Sequence, residues 1–201
     1  MFDLNADLPA ELGPLSWLLG VWEGTGVVNY RIGEDVRNHE FGQRISFSHD
    51  GMPHLNYTSY TWLLSQSGAD NVPLITETGY WRLSRNATPG DPGPGMLPPL
   101  GSAPFGSVED VESLRNNLGG FDIEVSMVHP GGVSELYLGQ VKGPRIDLQT
   151  DAVMRSASAK EYAAATRIYG LVESHLLWAW DIAALGQDLR THASARLARV
   201  D

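Results

Sequence analysis

The sequence predicts an all-β protein, an antiparallel up-and-down β-barrel of about ten strands preceded by a short helical turn. Two observations predict this fold class. Segments in which apolar and polar residues alternate recur along most of the chain, and short turns rich in glycine, proline and aspartate separate them. The strand rhythm alone fits a barrel or a sandwich, and the segment G-x-W-x-G-x-G at residues 20–26 favours the barrel.

The opening strand is predicted to begin with this glycine motif. Gly20, Gly24 and Gly26 lie at every second position and share one face of the strand with Trp22. Glycines remove the side chains from that face, so the backbone can bend and another segment can pack closely against it. The Trp22 ring would fill the space that the glycines leave. A dinucleotide fingerprint instead follows a strand and opens a helix, so this motif does not indicate a nucleotide site.

The segment before the motif, residues 14–19, is apolar and too short for an independent helix. It is predicted to form one turn that covers the floor of the barrel. The other strands are predicted in order at residues 41–50, 54–64, 74–83, 121–127, 133–141, 145–150, 160–172 and 176–182. Alanines in residues 160–172 also permit a helix, but the tyrosines, threonine and isoleucine there favour a strand. Residues 189–200 fit both strand and helix spacing.

The chain of 201 residues is predicted to form a single domain over residues 1–201, with an insertion at about 86–117. The insertion holds six of the twelve prolines and five glycines, a composition that is not expected to bury enough apolar surface to become ordered. No functional role is expected for it. A mobile cover over the pocket and a contact with a partner are the alternatives.

The overall composition excludes several classes of function. A formal net charge of -10 disfavours nucleic acid and anionic membranes as partners. The sequence has neither a bilayer-spanning apolar run nor a secretory leader, which predicts a cytoplasmic location. Because there is no cysteine, thiolate chemistry is excluded, and the six histidines are the strong nitrogen ligands available to a metal.

Four motifs occur in an order that resembles the nitrobindin family of haem-binding barrels. They are the glycine motif at residues 20–26, Glu-Thr-Gly-Tyr at 77–80, His-Pro-Gly-Gly-Val at 129–133, and Gly-Gln-Asp-Leu-Arg-Thr-His at 186–192. The resemblance implies a fold similar to the fatty-acid-binding proteins and lipocalins. It also implies one haem b per chain, isomerisation of peroxynitrite to nitrate on ferric haem, and nitric oxide as a further ligand. A homodimer is a separate expectation for the oligomeric state.

By this resemblance, His192 is the proximal iron ligand and therefore the catalytic, cofactor-binding and metal-binding residue. The residues after it, Ala193 to Ala195, are small enough for a flat macrocycle to approach the backbone, and imidazole is a common proximal haem ligand. From the residues alone, a hydrogen-bonded structural or surface role is more common for a lone histidine. The other five, at positions 39, 49, 54, 129 and 175, are expected in turns or at strand ends with solvated polar roles.

One departure from the family pattern, one candidate residue and one alternative function complete the expectations. Family members often carry a distal histidine where this chain has Leu74 and Ile75, so the distal pocket is expected to be apolar there. Lys142, in a turn at the barrel rim, is a candidate partner of a haem propionate, although an exposed lysine near a turn usually has no specific role. A non-enzymatic intracellular carrier of a fatty acid or other apolar ligand remains the alternative function.

Overall fold

The computed structural model describes residues 8–32, 35–65, 71–184 and 189–200. It is a closed antiparallel barrel in which each strand pairs with the next, and the last strand pairs with the first. The strands are β1 (Gly20–Ile32), β2 (Asp35–Ser48), β3 (Leu55–Leu63), β4 (Val72–Leu83), β5 (Phe121–His129), β6 (Val133–Lys142), β7 (Arg145–Arg155), β8 (Tyr162–Val172), β9 (His175–Ala184) and β10 (Arg190–Arg199).

The predicted barrel is confirmed, and both ambiguous segments are strands, β8 and β10. The glycine motif permits the barrel to close, because β1 lies between β2 and β10. A Cβ atom on Gly24 would lie 2.3 Å from the Arg196 carbonyl oxygen, and one on Gly26 would lie 2.4 Å from the Ser194 carbonyl oxygen. Any side chain at these positions would therefore push β10 away from β1.

A 3-10 helix, Ala10–Leu18, covers the end of the barrel at which β1 begins, as the apolar run predicts. Leu12, Leu15 and Leu18 of this helix are fully buried. The Trp22 side chain is 1% exposed, and its Nε1 donates a hydrogen bond of 2.7 Å to the Leu18 carbonyl oxygen. We call this end the closed end and the opposite end, where β1 finishes, the cavity end.

The insertion is ordered by contacts at the closed end, so the expectation from its composition was wrong. It contains a 3-10 turn, Pro94–Met96, and a helix, α1 (Val108–Glu112), whose N-terminus carries a Ser107–Asp110 capping box. Val111 of α1 is 3% exposed and belongs to the barrel core. The insertion cannot cover the cavity, because it joins β4 to β5 at the opposite end.

An ion-pair cluster that links distant parts of the chain explains this order. The Arg85 guanidinium donates to both carboxylate oxygens of Glu11, at 2.6 and 2.9 Å, and to those of Asp91, at 2.8 and 2.7 Å. The side chains of Arg85 and Glu11 are both largely buried. Composition of the insertion alone could not reveal the cluster, because Glu11 belongs to the N-terminal 3-10 helix. Among the described residues, no helix is long and apolar enough to cross a membrane.

Candidate functional site

A cavity of about 510 Å³ occupies the cavity end of the barrel. Its wall is formed by β1 to β4 and β8 to β10, and its volume lies within the range of small-molecule and cofactor sites. Two histidines, His39 and His192, contribute to the wall. A wider recess of about 830 Å³ elsewhere on the described surface is lined by no histidine and offers no nitrogen ligand.

His192 enters the cavity wall from a β-bulge at the start of β10. Thr191 pairs with Asp181 and Ala193 pairs with Trp180, so the register shifts at His192 between them. Bulges re-aim side chains and are frequent beside active sites. Burial lowers the pKa of His192, and a hydrogen bond to the main chain of Asn29 only partly offsets that effect. The imidazole is therefore held neutral, as a metal ligand must be.

Trp180 on β9 packs against the His192 ring. The two ring centroids are 5.5 Å apart and the planes meet at 87°, an edge-to-face contact. The Arg167 guanidinium lies 4.2 Å from the centroid of the Trp180 ring, within cation–π distance. The ring orientation of His192 is thus limited on one side by the Asn29 main chain and on another by an indole that is itself held in place.

Arg167 belongs to a buried polar network that forms the inner end of the cavity. Its guanidinium, 2% exposed, donates to both carboxylate oxygens of Glu77, at 2.7 and 3.0 Å. Its Nε donates to the Tyr137 hydroxyl at 3.1 Å, and the Tyr57 hydroxyl donates to Glu77 at 3.0 Å. Burial alone would raise the pKa of Glu77, but the Arg167 charge outweighs burial and lowers it to about 2. The pair is fully ionised.

A second buried carboxylate, Glu135, extends the network. It accepts hydrogen bonds from the Tyr137 and Tyr162 hydroxyls, at 2.6 and 2.5 Å, and its Oε2 lies 2.5 Å from His129 Nε2. His129 Nδ1 is 3.6 Å from Glu77, so this imidazole lies between the two carboxylates. Burial again opposes ionisation, but the hydrogen bond to His129 and the Arg167 charge hold the pKa of Glu135 below its ordinary value.

The sequence interpretation missed this network. His129 was expected to have a solvated role in a turn, yet it is 7% exposed, so that expectation was wrong. The alternation of β5 carried the signal, because residues 121, 123, 125, 127 and 129 all lie on the buried face. Glu135 and Tyr137 occupy buried positions of β6 in the same way. Polar residues at inward positions of a predicted barrel strand indicate an internal network.

Leu74 and Ile75 of β4 both line the cavity, together with His192. Close to them, the Thr61 hydroxyl donates to the Ile75 carbonyl oxygen at 3.0 Å and accepts from the Ile75 amide at 3.2 Å. That hydroxyl is therefore engaged with the backbone of β4. The wall is apolar at Leu74 and Ile75, and its buried charged groups, Glu77 and Arg167, lie at the inner end.

Lys142 does not reach the cavity, so its predicted role was wrong. It is the last residue of β6 and lies at the closed end, where its Nζ donates to the Leu118 carbonyl oxygen at 2.7 Å. Consecutive turns of an up-and-down barrel alternate between its two ends, and this turn falls on the side of the insertion. His39 was expected in a turn or at a strand end, but it lies within β2 and lines the cavity.

Comparisons with known proteins agree with this geometry. Residues 11–199 match the family model described as a THAP4-like, heme-binding beta-barrel domain. The chain belongs to this family. Proteins named peroxynitrite isomerase from Clavibacter michiganensis subsp. michiganensis and Leifsonia xyli subsp. xyli are 68% and 67% identical to it, with 100% of each chain covered.

A solved structure, Rv2717c from M. tuberculosis, is similar with a TM-score of 0.66 and 29% sequence identity. The match covers 96% of this chain and 99% of that chain. The predicted family, barrel fold and haem cofactor are therefore confirmed.

The site also fits haem on its own chemistry. A porphyrin supplies four equatorial nitrogens, so the protein needs to supply one axial ligand and an apolar slot. The cavity offers a neutral imidazole in a wall that includes Val28, Leu63, Leu74, Ile75 and Ala193. Among the described residues, no group of three or more His, Cys, Asp or Glu is arranged to hold a bare metal ion.

Proposed function

We propose that this protein is a haem-dependent peroxynitrite isomerase and that His192 is its axial iron ligand. The observation that carries the proposal is the neutral His192 imidazole at a bulge in the wall of a 510 Å³ cavity of a haem-binding barrel. The curated relatives with that name match along the whole chain, which supports the same reaction here. Ferric haem, when bound, supplies the open coordination position at which peroxynitrite is converted to nitrate.

His192 is a better axial ligand than the other cavity histidine, His39. One ring nitrogen of His192 is engaged by the Asn29 main chain, which leaves the second ring nitrogen for iron. His39 Nε2 lies 3.3 Å from the Tyr30 hydroxyl, and the two rings are stacked with centroids 5.7 Å apart. Contact with Tyr30 therefore already holds His39 at the rim of the cavity.

The remaining wall residues exclude water and fix the shape of the pocket. We propose that Leu74 and Ile75 form the side of the pocket across from His192, as β4 and β10 are four strands apart around the barrel. Neither side chain would offer a hydrogen-bond donor to an anion bound at this side of the haem. Isomerisation requires no net proton, so an apolar wall at this point is compatible with the reaction.

The alternative of a fatty-acid carrier is disfavoured by the state of Arg167. A carboxylate buried in a barrel needs a cation and hydrogen-bond donors to offset the loss of water. Arg167 is the only arginine or lysine among the buried residues that line the cavity in the described chain, and Glu77 already takes two of its donors. A carboxylate that entered the inner end of the cavity would have to displace Glu77, which would then be buried without its partner.

Three further expectations remain proposals, of which the first rests on the family resemblance. They are the binding of nitric oxide to the same iron, a homodimeric state and a cytoplasmic location. A nitrosyl spectrum of the reduced haem protein, sedimentation equilibrium and fractionation of the producing cell test them in that order.

The test of the proposed function is reconstitution with hemin. The wild type should give a Soret band at one equivalent and accelerate the decay of peroxynitrite with nitrate as product. The variant His192→Ala should lose the axial ligand and the acceleration, whereas His39→Ala should keep both. A protein that binds no hemin, or a His192→Ala variant with an unchanged haem spectrum, would refute the assignment.

A further inference from the structure

The two arginines in the cavity wall differ in whether they have a carboxylate partner. Arg37 and Arg167 are the arginines that line it, and among the described residues no lysine does. Arg167 is buried and paired with Glu77 at the inner end. Arg37 is exposed at the rim and has no carboxylate partner among the residues that the structure describes. Among the residues that the structure describes, none neutralises this positive charge at the rim.

The strand register sets two polar side chains, Tyr30 and His39, beside this charge. Tyr30 of β1 stands directly opposite Arg37 of β2, and Val28 stands opposite His39 one step further into the cavity. Cross-strand neighbours have Cβ atoms about 5 Å apart, so Tyr30 and Arg37 share the same part of the rim. We call Tyr30, Arg37 and His39 the rim cluster. All three line the cavity.

The rim cluster has the chemistry of a carboxylate site. The Arg37 guanidinium offers parallel N–H donors that match a carboxylate in two-point geometry. The Tyr30 hydroxyl and the His39 ring add further hydrogen-bonding groups at the same height. The inner end of the cavity cannot serve a carboxylate, because Glu77 is already ionised there with its pKa lowered to about 2 by Arg167.

We propose that the rim cluster, with Arg37 as its charge, binds the propionate carboxylates of haem and so fixes which edge of the porphyrin faces water. This inference rests on the proposed haem function and assigns to Arg37 the role for which Lys142 was considered. The proposal assigns one direction of insertion to the porphyrin. The two carboxylates stay at the rim with solvent and Arg37, and the apolar edge points toward the ionised but mutually neutralised Glu77–Arg167 pair.

The experiment compares two porphyrins, hemin and its dimethyl ester, in which both carboxylates are esterified and uncharged. Dissociation constants are measured by Soret titration for wild type, Arg37→Leu, Arg37→Lys and Lys142→Leu. Arg37→Leu should weaken hemin binding about threefold to tenfold and change ester binding less than twofold, since partly exposed ion pairs are weak. Arg37→Lys should restore part of the loss, and Lys142→Leu should change neither constant. The hemin-specific loss should shrink in 1 M salt.

Equal weakening of both porphyrins in Arg37→Leu would indicate a packing role and overturn the proposal, as would unchanged binding of both. The apoprotein of each variant should keep the wild-type thermal midpoint, because Arg37 is exposed. His192→Ala separates this test from that of the proposed function, since loss of the axial ligand should weaken both porphyrins. If it weakens neither while Arg37→Leu still discriminates, the axial assignment fails and the rim cluster stands.

Discussion

The closed end and the cavity end of this barrel are stabilised by different physical means. At the closed end, leucines of the 3-10 helix and the rings of Trp22, Trp81 and Phe47 fill the interior. Toward the cavity end, two carboxylates, a guanidinium and several hydroxyls form a hydrogen-bonded layer beneath an empty volume of about 510 Å³. Small changes in apolar packing lower stability gradually, whereas loss of one partner from a buried ion pair leaves an uncompensated charge and lowers stability sharply. The cavity therefore lies against the part of the interior that is most sensitive to the loss of a single side chain.

The largest effect is expected from Arg167→Met. Removal of the guanidinium leaves the negative charges of Glu77 and Glu135 buried together without the cation that neutralises them. Breaking a buried ion pair in this way typically costs about 3–5 kcal/mol. Denaturant unfolding of the apoprotein measures the loss. The double variant Arg167→Met with Glu77→Leu should recover part of it, because the buried negative charge is removed as well. If Arg167→Met alone is as stable as wild type, the Arg167 cation is not needed to keep the two carboxylates buried, and the expectation is contradicted.

The acid limb of the stability curve should report on the same layer. Because the pKa of Glu77 falls from 4.5 to about 2 on folding, its ionisation stabilises the protein fully above pH 4.5. That contribution, on the order of 3 kcal/mol, is lost as the pH falls from about 4.5 to about 2. Unfolding free energies of wild type and Glu77→Gln across this window give the measurement. The variant should be less stable at pH 7 and show a shallower slope, and identical slopes would contradict the expectation.

At the closed end, Val111→Ala tests whether α1 of the insertion contributes to the core. Two buried methyl groups are removed, and we expect a loss of about 2 kcal/mol in unfolding free energy. Leu100→Ala is the matched control in the same insertion, since Leu100 is 79% exposed and should change stability negligibly. Hemin affinity should be unaffected in both variants, because the cavity lies at the other end. If Val111→Ala leaves the unfolding free energy unchanged, the contact of α1 with the core does not stabilise the protein.

The smallest effect is expected from Trp180→Leu, which removes the ring beside His192. Residues that orient a metal ligand typically change metal affinity by tenfold or more. We expect hemin dissociation to be about tenfold faster and the iron–histidine vibration of the ferrous protein to shift and broaden. Trp180→Phe should restore much of both signals by replacing the aromatic contact.

Trp178→Leu is the control for loss of cavity wall. Trp178 lies on the same strand and in the same wall, but its indole donates to Gln43 and its ring packs on Phe41. The vibration should keep its frequency in this variant. Equal shifts in the Trp178→Leu and Trp180→Leu proteins would assign the effect to cavity volume and not to the orientation of His192.

Much of the barrel could be predicted from the sequence, because alternation and turn residues are local signals. The strand order, the glycine motif and the apolar part of the 3-10 helix follow from side chains that are close in sequence. The boundaries were less accurate, because β2 begins at residue 35 and not 41, β7 ends at 155 and not 150, and the 3-10 helix begins at residue 10 and not 14. The position of Lys142 could also have been derived, since turns alternate between the two ends and the start of β10 lies opposite the end of β6.

The parts that could not be predicted depend on contacts between distant segments. Arg85 meets Glu11 across 74 positions, and Arg167 meets Glu77 across 90 positions. The bulge that turns His192 into the cavity is a shift in pairing between β9 and β10, which no single strand encodes. The inward position of His129 could be predicted from the alternation of β5, but its contacts with Glu77 and Glu135 could not.

The pairing of β1 with β10 has a consequence for when the haem site can form. Val28 of β1 pairs with Ala193 of β10, and the next residue of β1, Asn29, holds the His192 ring through its main chain. These two strands are the first and last of the barrel, so the contact has the longest loop to close and must wait until β10 has left the ribosome. A chain that still lacks β10 also lacks His192. On the proposed assignment, the axial ligand therefore arrives with the strand that closes the barrel.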